Sequence, residues 1–474
     1  MHKRRNIALA AGATAFAAAL IAAMATASTA SQRPGISNGP QVPVIHTKPG
    51  VVHMSGALAA VPTTSDCVKD FGIRCYQPGQ IQAAYNTTPL YKKGITGKGQ
   101  TIVIVDSFGS PTIAKDLATF DKSFGLPAPP SLKIIAPAGK IPTWNPNNAD
   151  MTGWAGETTL DVEYAHTIAP GANIVLLETP VSETEGVTGF PQIVQAEDYA
   201  IAAHLGGVIS QSFGATEQTF NGIAQINAAG LRTPYVRAAE EKNGPTVLAA
   251  SGDDGATDAQ SNGTDLFTFP VTSWPASDPL VTSVGGTQVI PLAHGAWESV
   301  AWNDTANPNV GDNQSPVASG GGLSTFFSRP SFQNGVASKV GSVRGVPDVS
   351  MSAACDGAVL TYQSFPATGQ PAGFYLVCGT SEATPEFAGI VAMADQVAGH
   401  PLGQINAKLY GLASRNEPGI IDVKRGNNTV TFVQGGQSVT VQGFNAGTGY
   451  DLVTGVGTVN AWFLAYELAG HSVP

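Results

Sequence analysis

Five short apolar runs, spaced along the chain, constrain its fold more than any other feature. Thr101-Ile102-Val103-Ile104-Val105 is β-branched and shows no polar alternation, the pattern of a strand buried on both faces of a parallel sheet. Asn173 to Leu177 resembles it, and Gly207 to Ser210, Thr246 to Ala249 and Leu280 to Val284 read as further strands. Helical stretches lie among them, including Thr158 to His166, Gln192 to His204 and the segment after Ser381. This alternation predicts an α/β fold with a mostly parallel central sheet flanked by helices. Reactive side chains in such a fold gather at the carboxyl ends of the strands.

With 474 residues, 43% of them hydrophobic, the chain can bury a large core. Charged residues make up 12%, about half the usual share, and the formal net charge of -10 disfavours nucleic acid or an anionic membrane as partner. His2-Lys3-Arg4-Arg5 precedes an apolar stretch from Ile7 to Met24, and small residues follow at Ala25-Thr26-Ala27 and Ser28-Thr29-Ala30. That order predicts a secretory signal peptide over residues 1–30, hence an extracellular location without membrane contact after cleavage. A retained membrane anchor is the competing reading, disfavoured because the run is Ala-rich and polar sequence follows at once. Residues 31–66, rich in Pro, Gly, Ser and Thr, read as a linker or short propeptide, which leaves 67–474 as the folded domain. Four cysteines in an exported chain suggest two disulfides, and spacing favours Cys67 with Cys75 and Cys355 with Cys378. No Cys/His spacing suggests zinc.

Gly379-Thr380-Ser381, followed by Pro385 and Gly389, reads as a nucleophilic serine at the mouth of a helix. Thr384 and Pro385 are expected to interrupt any earlier helix, and the small residues from Phe387 to Ala394 allow close packing in a core. Unpaired N–H groups and the positive end of the helix favour negative charge developing near Ser381. The bland alternative is a Gly-Ser turn before a buried helix. A serine needs a base, and none of the eight histidines stands in a catalytic setting. His166 is nine positions from Glu157, which puts it on the opposite helix face and makes it a core or capping residue. Glu157 and Asp161, at i and i+4, stack on one face, where two acids share a proton and one carboxylate accepts the serine proton. Without Ser381 they read as a solvated acidic face. Asp253, in the glycine-rich turn Ala249 to Gly255, can donate from a protonated carboxyl to an oxyanion.

Glu157-Thr158-Thr159-Leu160-Asp161, Ser251-Gly252-Asp253 and Gly379-Thr380-Ser381 with Pro385 and Gly389 together resemble the sedolisins, serine-carboxyl peptidases with a subtilisin-like fold. The similarity runs from about Tyr76 to Trp462 and includes Val284-Gly285-Gly286-Thr287, Ser319-Gly320-Gly321-Gly322 and Val346-Pro347-Asp348-Val349-Ser350. It implies Ser381 as nucleophile, Glu157 as general base and acid, Asp161 as its supporting carboxylate and Asp253 as oxyanion donor. It also implies one structural Ca²⁺ held by the side chains of Asp422 and Asp451 and the carbonyls of Val423, Gly447 and Gly449. Hard oxygen ligands suit calcium. Read without the family, Gly447 to Gly455 is only a glycine-rich turn. Subtilisins proper share the Gly-Thr-Ser segment, but no histidine here has their His-Gly-Thr setting, and Asp106 reads as a structural acid at a strand end. Two departures stand out: a short Pro-rich stretch where the family carries a large folded prosegment, and Cys378 where serine is commoner before Gly379. The expectation is a secreted, monomeric, acid-active endopeptidase that cleaves protein or peptide substrates. Its rival is a secreted binding module that kept the peptidase fold.

Overall fold

The computed structural model describes residues 51–52, 61–310 and 315–474. The expected signal peptide and most of the expected linker lie outside the described residues. A central sheet of eight strands organises the rest. In chain order these are β1 (Thr101–Ser107), β2 (Leu132–Ile135), β3 (Asn173–Thr179), β4 (Val208–Gln211), β5 (Thr246–Ala250), β6 (Thr282–Pro291), β7 (Trp297–Ala301) and β8 (Val349–Ser352). Their order is β7-β6-β5-β4-β1-β3-β2, with β8 also paired to β6. Every pairing is parallel except that of β7 with β6. The five expected strands are all present.

Along β1, successive side chains alternate between the two faces of the sheet. Ile102 and Ile104 enter one apolar cluster, with Leu160, Tyr164, Phe387 and Ile390. Val103 and Val105 enter the other, with Phe190, Tyr235 and Trp274. Buried on both faces, the strand has no polar stripe to show in its sequence.

Six helices matter for the site: α1 (Ile113–Phe124), α2 (Ala149–Ile168), α3 (Phe190–Ala202), α4 (Thr233–Glu240), α5 (Thr380–Ala398) and α6 (Ala461–Ala469). Both α2 and α5 pack on the Ile102/Ile104 side, whereas α3 and α4 cover the opposite face. α2 starts well before the expected Thr158, because the Asn148 side chain accepts from the Met151 N–H at 3.0 Å and caps an earlier turn. Every residue from Trp154 to Ile168 is buried, so the helix has no solvated side. A Cβ at Gly389 of α5 would stand 2.7 Å from Ile168 Cβ, and its absence lets the two helices approach.

Pro385 does not end a helix. α5 begins at Thr380 and runs through it. The ring removes only the N–H that would have bonded the Ser381 carbonyl, and the Ser212 hydroxyl faces that oxygen instead at 3.5 Å. Both expected disulfides are present, Cys67–Cys75 with S–S 2.00 Å and Cys355–Cys378 with 1.98 Å. Regular structure begins before residue 67: Thr63 and Asp66 form a capping box at the start of a helix over Thr64–Phe71. Val51–Val52, within the stretch read as linker, pairs antiparallel with Leu376 and Val377, just ahead of Cys378.

Candidate active site

Glu157 and Asp161 lie one turn apart on α2, 2% and 0% exposed. The β1 parity that sends Ile102 and Ile104 toward α2 also sends Asp106 there, and this carboxyl is 1% exposed. Asp106 was expected to be a structural acid only, yet it is the third member of the cluster: its charge disfavours ionisation of both Glu157 and Asp161. The strand-parity rule applied to Thr101–Ser107 would have pointed to it. Neither oxygen of Asp106 or Glu157 has a partner at hydrogen-bonding geometry.

Burial is the main reason all three carboxyls resist ionisation. It pushes Asp106 up to about 7, with the Thr158 hydroxyl pulling the other way and Glu178 adding to the rise. Burial raises Glu157 well above the usual carboxylate range; the nearby Ser381 hydroxyl opposes this, while Asp106 and Asp253 add to it. Asp161 is raised by burial, then by Asp106 and Glu157, and is relieved by Ser212. Such a group of acids holds protons in common, and a charge entering it is shared.

Ser212, just past the end of β4, was not singled out in the sequence. Its Oγ donates to Asp161 Oδ1 at 2.9 Å. Ser381 sits in the first turn of α5, 2% exposed, after Gly379, whose φ of 131° is one that side chains rarely adopt. Asp253, beyond the end of β5, faces the same turn: its Oδ1 accepts from the Thr380 N–H at 2.7 Å and from the Thr380 hydroxyl at 2.8 Å. Thr380 Oγ1 in turn accepts from the Gly252 N–H at 3.2 Å. Asp253, Thr380, Ser381 and Ser212 line one cleft. The four expected site residues, Glu157, Asp161, Asp253 and Ser381, are therefore brought together at the carboxyl ends of β1, β4 and β5. His166 is elsewhere: its Nε2 lies 2.7 Å from the Pro127 carbonyl and 3.2 Å from Asp121 Oδ1, a core position.

A second acid pair went unnoticed in the sequence. Glu382 and Glu386, one turn apart on α5, are fully buried, and their four oxygens lack partners at hydrogen-bonding geometry. Burial raises both well above the carboxylate range.

The residues expected to hold calcium also converge. Both oxygens of Asp422 accept from the Gly449 N–H at 3.1 Å, and Asp451 Oδ2 accepts from the Gly447 N–H at 2.9 Å. Lys424 Nζ stands 3.7 Å from Asp422. Among the described residues no group of three or more His, Cys, Asp or Glu side chains is placed to hold a metal ion, so a cation here must complete its shell with carbonyls. One carboxylate at a strand end and one on a glycine-rich loop fit a hard, oxygen-seeking cation.

No family model matches the chain. Among curated proteins it is similar to kumamolisin of Bacillus sp. (strain MN-32), 30% identical over 395 residues, covering 81% of this chain and 62% of that protein. It is similar to sedolisin of Pseudomonas sp. (strain 101), 31% identical over 368 residues, covering 77% of this chain and 57% of that protein. The chain thus spans about three-fifths of the length of these relatives. Among solved structures it is similar to Pseudomonas sedolisin, a serine-carboxyl proteinase complexed with two molecules of pseudo-iodotyrostatin, with TM-score 0.65 and 27% identity, covering 83% of this chain and 97% of that one. The parallel sheet, the converged serine and carboxyl groups and these likenesses agree: the chain belongs to the sedolisin family.

Proposed function

We propose that the protein is a secreted serine-carboxyl endopeptidase that hydrolyses protein or peptide substrates at acidic pH through an acyl-enzyme on Ser381. The observation that carries this reading is the meeting of Ser381 with the buried Glu157–Asp161 pair on one side and with Asp253, which lines the same cleft as the serine, on the other. Glu157, as carboxylate, takes the Ser381 proton while Oγ attacks the peptide carbonyl carbon. Asp161, held by Ser212, shares the proton that Glu157 gains. Charge collects on the former carbonyl oxygen, where a protonated Asp253 donates to it. Glu157 then gives its proton to the leaving amine as the C–N bond breaks, and water repeats the sequence to release the acid. This demands one ionised and one protonated carboxyl at the same time, a state favoured at low pH when burial and like charges hold protons on the cluster.

One Ca²⁺ held by Asp422, Asp451 and the carbonyls of Val423, Gly447 and Gly449 belongs to the same reading. When bound it would tie the loop Gly447 to Asp451 to the strand end at Asp422. The signal peptide at residues 1–30 completes it, with a folded domain that includes the helix from Thr64 ahead of the expected start at 67.

Ser381→Ala tests the assignment. Cleavage of denatured protein at pH near 4 should disappear while the circular dichroism spectrum is retained. Undiminished proteolysis by the variant removes Ser381 from the mechanism, and inactivity of the processed wild type favours the binding-module alternative.

A further inference from the structure

The strand Gly373–Val377 leads through Cys378 and Gly379 into the turn that carries Ser381. It pairs antiparallel with the strand Ala358–Gln363, Val377 opposite Val359, so the nucleophile follows directly on the open end of a hairpin. Such ends fray when nothing closes them. Here the Cys355–Cys378 bridge closes it, with both cysteines buried. The Gly379 N–H adds a second tie to the same segment, donating to the Ala353 carbonyl at 2.8 Å.

Asp356, the residue after Cys355, carries the tie outward. Its Oδ1 accepts from the Arg74 backbone N–H at 2.8 Å and from Arg74 Nε at 3.0 Å, and its Oδ2 accepts from Arg74 Nη2 at 2.5 Å. Gln288 Nε2 donates to that Oδ2 at 3.1 Å. The Asp356 N–H donates to Asp304 Oδ2 at 3.0 Å, an oxygen that also accepts from the Trp302 indole N–H at 3.0 Å. The Arg74 and Asp356 side chains are only 23% and 20% exposed, and a two-pronged pair of this kind fixes direction as well as distance. Arg74 is itself anchored, because Cys75 is bonded to Cys67 and the strand Cys75–Tyr76 pairs parallel with Ala358 and Val359. Each member of the ion pair therefore stands next to a disulfide cysteine. Neither lines the cleft at Ser381.

We propose that the Arg74–Asp356 pair and the Cys355–Cys378 bridge act as one brace that positions the Ser381 nucleophile from behind, which makes Arg74 and Asp356 positioning residues for the reaction. The inference rests on the peptidase reading. Asp253 holds the turn from the cleft side through the Thr380 N–H and hydroxyl, and the brace holds it from the strand side. A hydroxyl that must meet a carbonyl carbon in one orientation loses rate when its turn gains freedom. Since the ion pair stands outside the cleft, its effect on rate passes through the position of that turn.

The test compares wild type with Arg74→Met, which keeps the alkyl stem, with Arg74→Lys, which keeps the charge without the fork, and with Cys355→Ala, Cys378→Ser. Assayed well below their melting temperatures, Arg74→Met and the double-cysteine variant should each lose about tenfold in kcat with KM unchanged, and Arg74→Lys should fall between them and the wild type. Affinity for a peptide aldehyde, whose adduct with Ser381 copies the tetrahedral state, should drop in step with kcat/KM, while affinity for a cleaved product peptide stays constant. A pair that only stabilised the fold would move neither. Combining Arg74→Met with the cysteine changes should cost less than the product of the separate losses, because the two act as a unit. Full kcat in the folded variants, equal loss of aldehyde and product affinity, or losses that multiply overturns the inference. Hydrogen exchange at the Gly379 and Thr380 amides supplies a readout that needs no cleavage. Faster exchange there in Arg74→Met sustains the brace even if no peptide is hydrolysed, and unchanged exchange counts against it, so its failure is distinguishable from failure of the peptidase reading.

Discussion

Ser212 Oγ donates to Asp161 Oδ1 at 2.9 Å and also lies 3.5 Å from the carbonyl oxygen of Ser381. One hydroxyl thus links the supporting carboxyl on α2 to the carbonyl that Pro385 leaves without its helical partner. Ser212→Ala should lower kcat/KM roughly tenfold, as expected for a lost hydrogen bond to a charged group. Asp161 would ionise less readily without its donor, so the acidic limb of the pH–rate profile should move to higher pH. A profile of unchanged shape would separate Ser212 from the proton relay.

Asp106 acts in the opposite sense. Its charge raises both Glu157 and Asp161. Asp106→Asn removes that repulsion, so Glu157 and Asp161 ionise more easily and the acidic limb should shift downward, by about one pH unit for one close like charge. A pH–rate profile of the variant decides this. An upward shift would mean that Asp106 supports the carboxylate form instead.

Glu382 and Glu386 make stability depend on pH. Around them lie Tyr85, Tyr164, Ser352 and Asp253, with no cation among the named neighbours. Burial raises their carboxyls in the folded state, so the native protein holds protons that the unfolded chain releases. Stability is then greatest below the ordinary glutamate range and declines as pH rises from there toward the raised values. The double variant Glu382→Gln, Glu386→Gln should flatten this decline, and near pH 7 it should melt at least about 3 °C above the wild type. Parallel melting curves across pH for the two proteins would refute the account.

Calcium at the Asp422 and Asp451 loop should register as linkage. At 100-fold excess over Kd, a bound ion stabilises the fold by about 2.7 kcal/mol. Chelator should lower the melting temperature, and Asp422→Asn should abolish the response. A wild type indifferent to both chelator and added Ca²⁺ would count against the site.

Local pattern made much of this protein legible. The β-branched runs gave the parallel strands, the i, i+4 spacing put Glu157 and Asp161 on one face, and the cysteine spacing gave both bridges. The motifs around Asp253 and Ser381 gave the remaining expected site residues through a family resemblance. Periodicity along one element tells which side chains share a face, but not what that face meets. Only the tertiary structure decided that the even side of β1 faces α2, which turns Asp106 from a strand-end acid into a third partner of Glu157 and Asp161. Tertiary packing likewise closed the core over Glu382 and Glu386, carried α5 through Pro385, and set Arg74 against Asp356. Desolvation and charge–charge repulsion act through space between elements far apart in the chain, so the resistance of these acids to ionisation arises only when the fold brings them together.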